Sequence, residues 1–186
     1  MPEGSGQTQY VVNVTLDPSL TYYWRARATD GDTRSTFIGA ALARVEQIVG
    51  CGFGDPVNPL LISVRSGARM SMPGMMETVL NVGLTEKTIT GMTKQSGGNA
   101  RFVYDAYRRL IMMYSDVVME KAAGIEIEDG HGIRHKLEAA LENVKKKNGY
   151  KHDTDLSVSD LMKLCDEFKK IIKSTLKKDF PDDPQE

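Results

Sequence analysis

Two apolar stripes at helical spacing constrain this chain more than any other feature. Val103, Ala106, Tyr107, Leu110, Tyr114, Val117 and Val118 recur at intervals of three and four. That spacing lays them along one face of a helix. Val158, Leu161, Met162, Cys165, Phe168 and Ile172 form a second stripe. Such faces are stable in water only when buried against each other, so residues 85–186 are expected to form a helical subdomain. Stop and start signals agree. Asn99 is placed to cap a long helix ending near Lys121, and Ser157 with Asp160 three residues on makes a capping pair. Asn148-Gly149 ends a helix over Ile133–Lys147, and Thr85–Lys94 reads as a short helix.

The first half reads differently. In residues 1–36, Tyr10, Val12 and Val14 alternate with Val11, Asn13 and Thr15, and Tyr22, Trp24, Ala26 and Ala28 alternate with Tyr23, Arg25 and Arg27. Leu16-Asp17-Pro18-Ser19 supplies turn residues between them, so a β-hairpin-like segment is expected. In residues 37–84, Ala40–Val49 reads as a short helix broken by Gly50, Gly52, Gly54 and Pro56. Pro59–Arg65 is a short apolar run that suits one buried strand, and Met76–Leu84 suits a helical turn or two. The fold class is therefore α+β, mainly helical, with a small β element near the N-terminus.

Charge and cysteine usage exclude several functions. Lys+Arg is 24 and Asp+Glu 25 in 186 residues, a net charge of −1. No global field draws the chain to nucleic acid or to an acidic membrane. Across residues 136–186 eleven lysines interleave with eleven acids, which argues against a basic patch. Cys51 and Cys165 lie far apart, and His131, His135 and His152 do not stand at zinc-finger spacing from them. The cysteines read as reduced thiols and the histidines as solvated. No apolar run approaches the roughly 18 residues of a membrane span. The polar start lacks a signal-peptide core, so the expected location is cytoplasmic.

One segment carries the chemistry. It runs from the strand end Ser63-Val64-Arg65 into Ser66-Gly67-Ala68 and on to Ser71-Met72-Pro73-Gly74-Met75-Met76. Gly67 and Gly74 would let backbone N–H groups approach an anion closely. Arg65 offers a planar fork of donors that matches phosphate oxygens, Ser66 and Ser71 add hydroxyls, and a helix starting near Met75 would add its dipole. The bland readings are a surface ion pair for Arg65 and loop packing for the methionines, four of whose ten fall within Met70–Met76.

These residues also carry a resemblance. Gly54-Asp55-Pro56, Val64-Arg65-Ser66-Gly67-Ala68 and Ser71–Leu84 resemble the nucleotide-binding domain of the pyruvate, phosphate dikinase family. Arg101–Leu110, Tyr114–Met119, Asp153-Thr154-Asp155-Leu156 and Phe180-Pro181-Asp182-Asp183-Pro184 continue it, in order, from about Ala43 onward. The resemblance implies part of an ATP-grasp-like domain, one strand beside a helical subdomain, that binds Mg-ATP. It implies a phosphotransferase that turns ATP, phosphate and pyruvate into AMP, pyrophosphate and phosphoenolpyruvate through a phosphohistidine. It also implies partners: a swivelling phosphohistidine domain, a pyruvate-binding barrel and a homo-oligomeric whole enzyme. Carried onto this sequence, the ATP-phosphate residues are Arg65, Ser66, Gly67, Ser71 and Gly74.

Departures from the family pattern matter as much. Residues 1–40 contain no lysine to serve as the family's nucleotide-binding lysine, and no histidine matches the phosphohistidine motif. The metal-binding carboxylates are expected outside this stretch. The chain is thus expected to be a fragment, inactive alone, with no catalytic residue or metal ligand of its own. Val12–Asp30 resembles instead the last strands of a fibronectin type III sandwich, and reads as a fused segment or as a replacement strand pairing with Leu60–Val64. The alternative to a dikinase is a non-catalytic interaction module, a β-hairpin on a helical bundle, with Tyr22 and Trp24 facing a protein partner.

Overall fold

The computed structural model describes residues 33–65, 78–121 and 132–184, with backbone alone for 33–38, Arg65 and Lys121. The hairpin expected over residues 10–30, with Tyr22 and Trp24, lies outside them, as does most of the loop expected over Gly124–Gly132.

Helix α1 spans Thr33–Val49, seven residues earlier than its sequence signals suggest, and Gly50 ends it in the left-handed region. Two two-stranded sheets follow. Strand β1 (Gly52–Phe53) pairs parallel with β2 (Pro59–Leu60), and β3 (Ile62–Arg65) pairs antiparallel with β4 (Thr78–Val82). The single strand expected over Pro59–Arg65 is therefore split at Leu61. Pro59 lacks an N–H, so it can open a strand but not sit within a ladder. The same run was expected to be buried, yet Val64 is 52% exposed. The reason is topological: β3 has one partner, and a two-stranded ribbon cannot cover both of its faces.

The helix expected over Met76–Leu84 is also corrected, since Thr78–Val82 is a strand. Pairing with β3 satisfies its backbone, and β-branched Thr78, Val79 and Val82 suit the pleated state. The ladder slips between Ile62 and Val64, where Asn81 takes φ +60°. That is a bulge, one extra residue on β4 that twists the ribbon onto the helices.

Helix α2 (Ile89–Gln95) starts four residues later than expected because the segment before it is pinned by a turn. Thr88, fully buried, accepts the Thr85 N–H at its hydroxyl and donates to Gly83 O at 3.0 Å. Gly83 adopts φ +107° and Leu60 O would lie 2.7 Å from a Cβ there, so a side chain is excluded twice over. Gly91 lets α2 press its backbone onto Pro56 O, only 2.4 Å from an ideal Cβ.

Helix α3 (Ala100–Tyr114) has the expected cap: Asn99 accepts the Phe102 N–H at 3.0 Å. It continues as a π-helical stretch, Ser115–Lys121, ending where the sequence placed the end of the long helix. Helix α4 (Ile133–Asn148) ends on Gly149 in the left-handed conformation. Its first turn is served from the π stretch, where buried Glu120 accepts the Ile133 N–H at 2.5 Å. A 3₁₀ turn (Asp153–Asp155) leads to α5 (Val158–Leu176), which Ser157 and Asp160 open with a reciprocal capping box.

Helix α3 packs on both β4 and α5, and α5 packs on α4. The core joins members of the two predicted stripes, Val103, Tyr107 and Leu110 from α3 and Leu161, Cys165, Phe168 and Ile172 from α5, with Ile111 and Leu164, which the stripes did not include, and Leu137 and Leu141 from α4. Two stripe members stay outside, since Met162 and Val118 are exposed. The Phe180–Pro184 segment is docked, with Phe180 buried against Tyr114. Both Cys51 and Cys165 are free thiols.

Candidate functional site

Arg65 is the last residue of β3, its backbone in register with Thr78 at the start of β4. Ser66, Gly67, Ser71 and Gly74 lie outside the described residues, in the twelve-residue connection that leaves Arg65 and returns to Thr78. The helix start expected near Met75 lies outside the described residues, and Thr78–Val82 beyond it is a strand.

Behind the hairpin, α3 carries a network that sequence reading only half saw. Arg108 is 3% exposed, and its guanidinium bonds Asp105 of its own helix at 2.8 Å and Asp153 of the 3₁₀ turn at 3.2 Å, an ion pair from one helical element to another. Lys145 of α4 reaches the same Asp153 at 3.1 Å. Arg101 donates to the carbonyls of Leu156 and Asp153 at 3.0 and 2.8 Å. Arg109 is the solvated member, paired with Asp105 at 3.0 Å. These arginines are committed to joining α3, α4 and the turn before α5. The signal available in sequence was Arg101, Asp105 and Arg108 at intervals of four and three, which puts all three on one side of α3. What it met there was invisible.

A recess of about 220 Å³ opens between α3, α5 and the start of α2, lined by Glu86, Ile89, Tyr104, Tyr107, Cys165 and Asp166 among others. Its chemistry is inert near neutral pH. Burial pushes the Tyr107 phenol up to about 12 despite the neighbouring Lys169 cation, and burial likewise pushes the Cys165 thiol up to about 12. Neither will serve as a base or nucleophile. Lys169 Nζ lies 5.4 Å from the Tyr107 ring centroid without bonding the hydroxyl, which is buried with no hydrogen-bond partner. Burial is the largest single influence on Lys169 and works against its charge, but the contributions of Glu86 and Tyr107 together exceed it and raise the pKa. His135 and His152 are exposed, as expected, and His131 lies outside the described residues. Among the described residues no group of three or more His, Cys, Asp or Glu side chains is placed to hold a metal ion.

Comparison with known proteins gives these positions a context. No family-level profile matches the chain. Individual relatives do. Pyruvate, phosphate dikinase of Clostridium symbiosum is 40% identical over 174 residues, covering 93% of this chain and 18% of the relative. That match necessarily reaches into residues 1–36. The Arabidopsis thaliana protein named pyruvate, phosphate dikinase 1, chloroplastic, is 43% identical over 145 residues, 77% of this chain and 14% of its own. The pyruvate, phosphate dikinase of Giardia intestinalis is 42% identical over 150 residues, 80% of this chain and 16% of its own. The chain spans less than a fifth of the length of these relatives. With about two residues in five shared across most of its length, this chain belongs to the pyruvate, phosphate dikinase family.

Proposed function

We propose that this chain supplies part of the ATP-binding region of a pyruvate, phosphate dikinase, acting in the cytoplasm. Residues 37–84 form the nucleotide-facing segment, and residues 85–186 form the helical subdomain that supports it. The reaction served is conversion of ATP, phosphate and pyruvate to AMP, pyrophosphate and phosphoenolpyruvate through a phosphohistidine carried elsewhere in the enzyme. Arg65 contacts the nucleotide phosphates and offsets charge at the transferring phosphoryl group. Ser66, Gly67, Ser71 and Gly74 contribute loop hydroxyls and close backbone approach. The observation that carries the reading is the position of Arg65 where β3 leaves for the 66–77 connection, its backbone in register with Thr78, in a chain about 40% identical to named dikinases.

Among the described residues no carboxylate cluster fits the magnesium that would accompany ATP. In this reading the role of the chain is to bind and orient phosphate. Its other partners in the intact enzyme would be the phosphohistidine domain and the pyruvate-binding barrel.

The test is equilibrium ATP binding by a dikinase polypeptide carrying this sequence, compared with Arg65→Lys and Arg65→Ala. Replacing the bidentate fork by a point charge is expected to weaken affinity about tenfold, and Arg65→Ala more. Unchanged affinity in both variants overturns the assignment. Gly74→Val, with full ATP binding retained, would restrict the loop to packing.

A further inference from the structure

The segment after α5 does not trail into solvent. It crosses the bundle and is held at several points. Phe180 is 8% exposed, its ring edge-on to Tyr114 with centroids 5.6 Å apart. Phe180, Pro181 and Pro184 close over Gly83 and Leu84 at the end of β4. Pro184 sits so near Gly54 that a Cβ built there would stand 2.9 Å from the proline Cγ. Asp182 is bonded by Lys169 of α5 at 3.3 Å.

That lysine holds a second carboxylate as well. Its Nζ meets Glu86, in the connection between β4 and α2, at 2.5 Å. The ammonium also lies 5.4 Å from the Tyr107 ring and 6.0 Å from the Phe180 ring, within reach of both π faces. One cation thus neutralises carboxylates from two segments far apart in sequence, over an apolar floor. Both carboxylates are largely exposed, and the strap that carries Asp182 is held further by the Lys173–Asp179 ion pair at 2.8 Å and by its proline contacts.

We infer that Lys169 is a charge latch that holds the Asp179–Pro184 strap and the β4–α2 connection together, so that releasing the strap loosens β4 from the bundle. The path is short. The strap rests on Gly83 and Leu84, these follow β4 directly, and the far end of β4 is in register with Arg65. The latch concerns the mobility of the ribbon on α3 and stands whether or not Arg65 binds a nucleotide.

The test is hydrogen–deuterium exchange of the intact chain, wild type against Asp182→Asn, Lys169→Met and Lys169→Arg. Asp182→Asn changes one exposed group and leaves the core alone. It is expected to speed exchange about tenfold at residues 179–183, and also at the Leu84 and Thr85 amides, with α4 unchanged. Lys169→Met should do the same more strongly, and Lys169→Arg should keep the wild-type pattern. Unchanged exchange at Leu84 and Thr85 in Asp182→Asn overturns the latch. So does a rise spread evenly over α3, α4 and α5 in Lys169→Met, which would make the lysine a general stabiliser.

Discussion

The helical bundle and the β3–β4 ribbon of this chain face the same requirement and meet it unequally. In α3, α4 and α5 the backbone groups between the first and last turns are paired within the element, and apart from the capped ends only the apolar face needs a neighbour. Three such faces enclose one another, leaving Val103, Ile111, Leu161, Leu164, Phe168 and Ile172 without solvent contact. The ribbon has two strands, so each keeps an unpaired edge. Val64 is 52% and Leu80 44% exposed. The difference teaches where specificity resides. The bundle closes upon itself, whereas the ribbon leans on α3 and on the strap, and the segment proposed to meet a nucleotide hangs from its end.

Substitutions can break this contrast or sharpen it. The largest effect is expected in the bundle seam. Phe168→Ala should cost about 4 kcal/mol, because a fully enclosed ring is replaced by a cavity among helices that cannot collapse onto it. Urea denaturation measures it, and a loss below about 1 kcal/mol would show the seam to be plastic. Next comes Arg108→Met, which leaves Asp105 and Asp153 without their buried partner. A cost of about 3 kcal/mol is expected by the same measurement. If the loss were near zero, the network would not be what fastens the 3₁₀ turn to α3.

Ser157→Ala should cost about 1 kcal/mol through loss of the α5 cap. This variant carries a pH signature. The Ser157 hydroxyl, followed by that of Tyr150, holds the Asp160 carboxyl below its ordinary 3.8. A depressed folded-state value means stability present above the ordinary value and lost as pH falls through the folded one. Denaturation midpoints taken from pH 7 to pH 3 should show the gap between wild type and Ser157→Ala narrowing at the acid end. The smallest effect belongs to the ribbon. Val64→Thr on its exposed face should change stability by less than about 0.5 kcal/mol. A larger loss would mean that this face is covered in solution, and the contrast would dissolve.

The same contrast explains what could be read in advance. Asn99 and Ser157 cap the helices they were expected to cap, because a cap is a bond between residues three apart. The α3 and α5 stripes bury nearly as expected, since helical periodicity is local. Leu164 was missed and Met162 misplaced because the width of a buried face depends on how many helices surround it. The ribbon was half read: Ile62–Arg65 lies in a run expected as a strand, though less buried than expected, whereas Thr78–Val82 was expected to be helical. Whether Thr78–Val82 winds or extends is settled by the partner it finds in Ile62–Arg65, thirteen or more residues away. The candidate phosphate residues were legible as a motif, and of them the structure fixes the backbone of Arg65 alone.

By itself the sequence determined helices α3, α4 and α5 with their caps, most residues of the main core and the family to which the chain belongs, since each is written in short-range spacing or in ordered motifs. Only the tertiary structure decided that β4 is a strand, that Arg108 is buried between two aspartates, and that Lys169 joins the strap to the β4–α2 connection. Those outcomes depend on groups tens of residues apart coming within bonding distance. A linear pattern records which charges and faces are available, but their pairing is set by which of them the packed helices bring together.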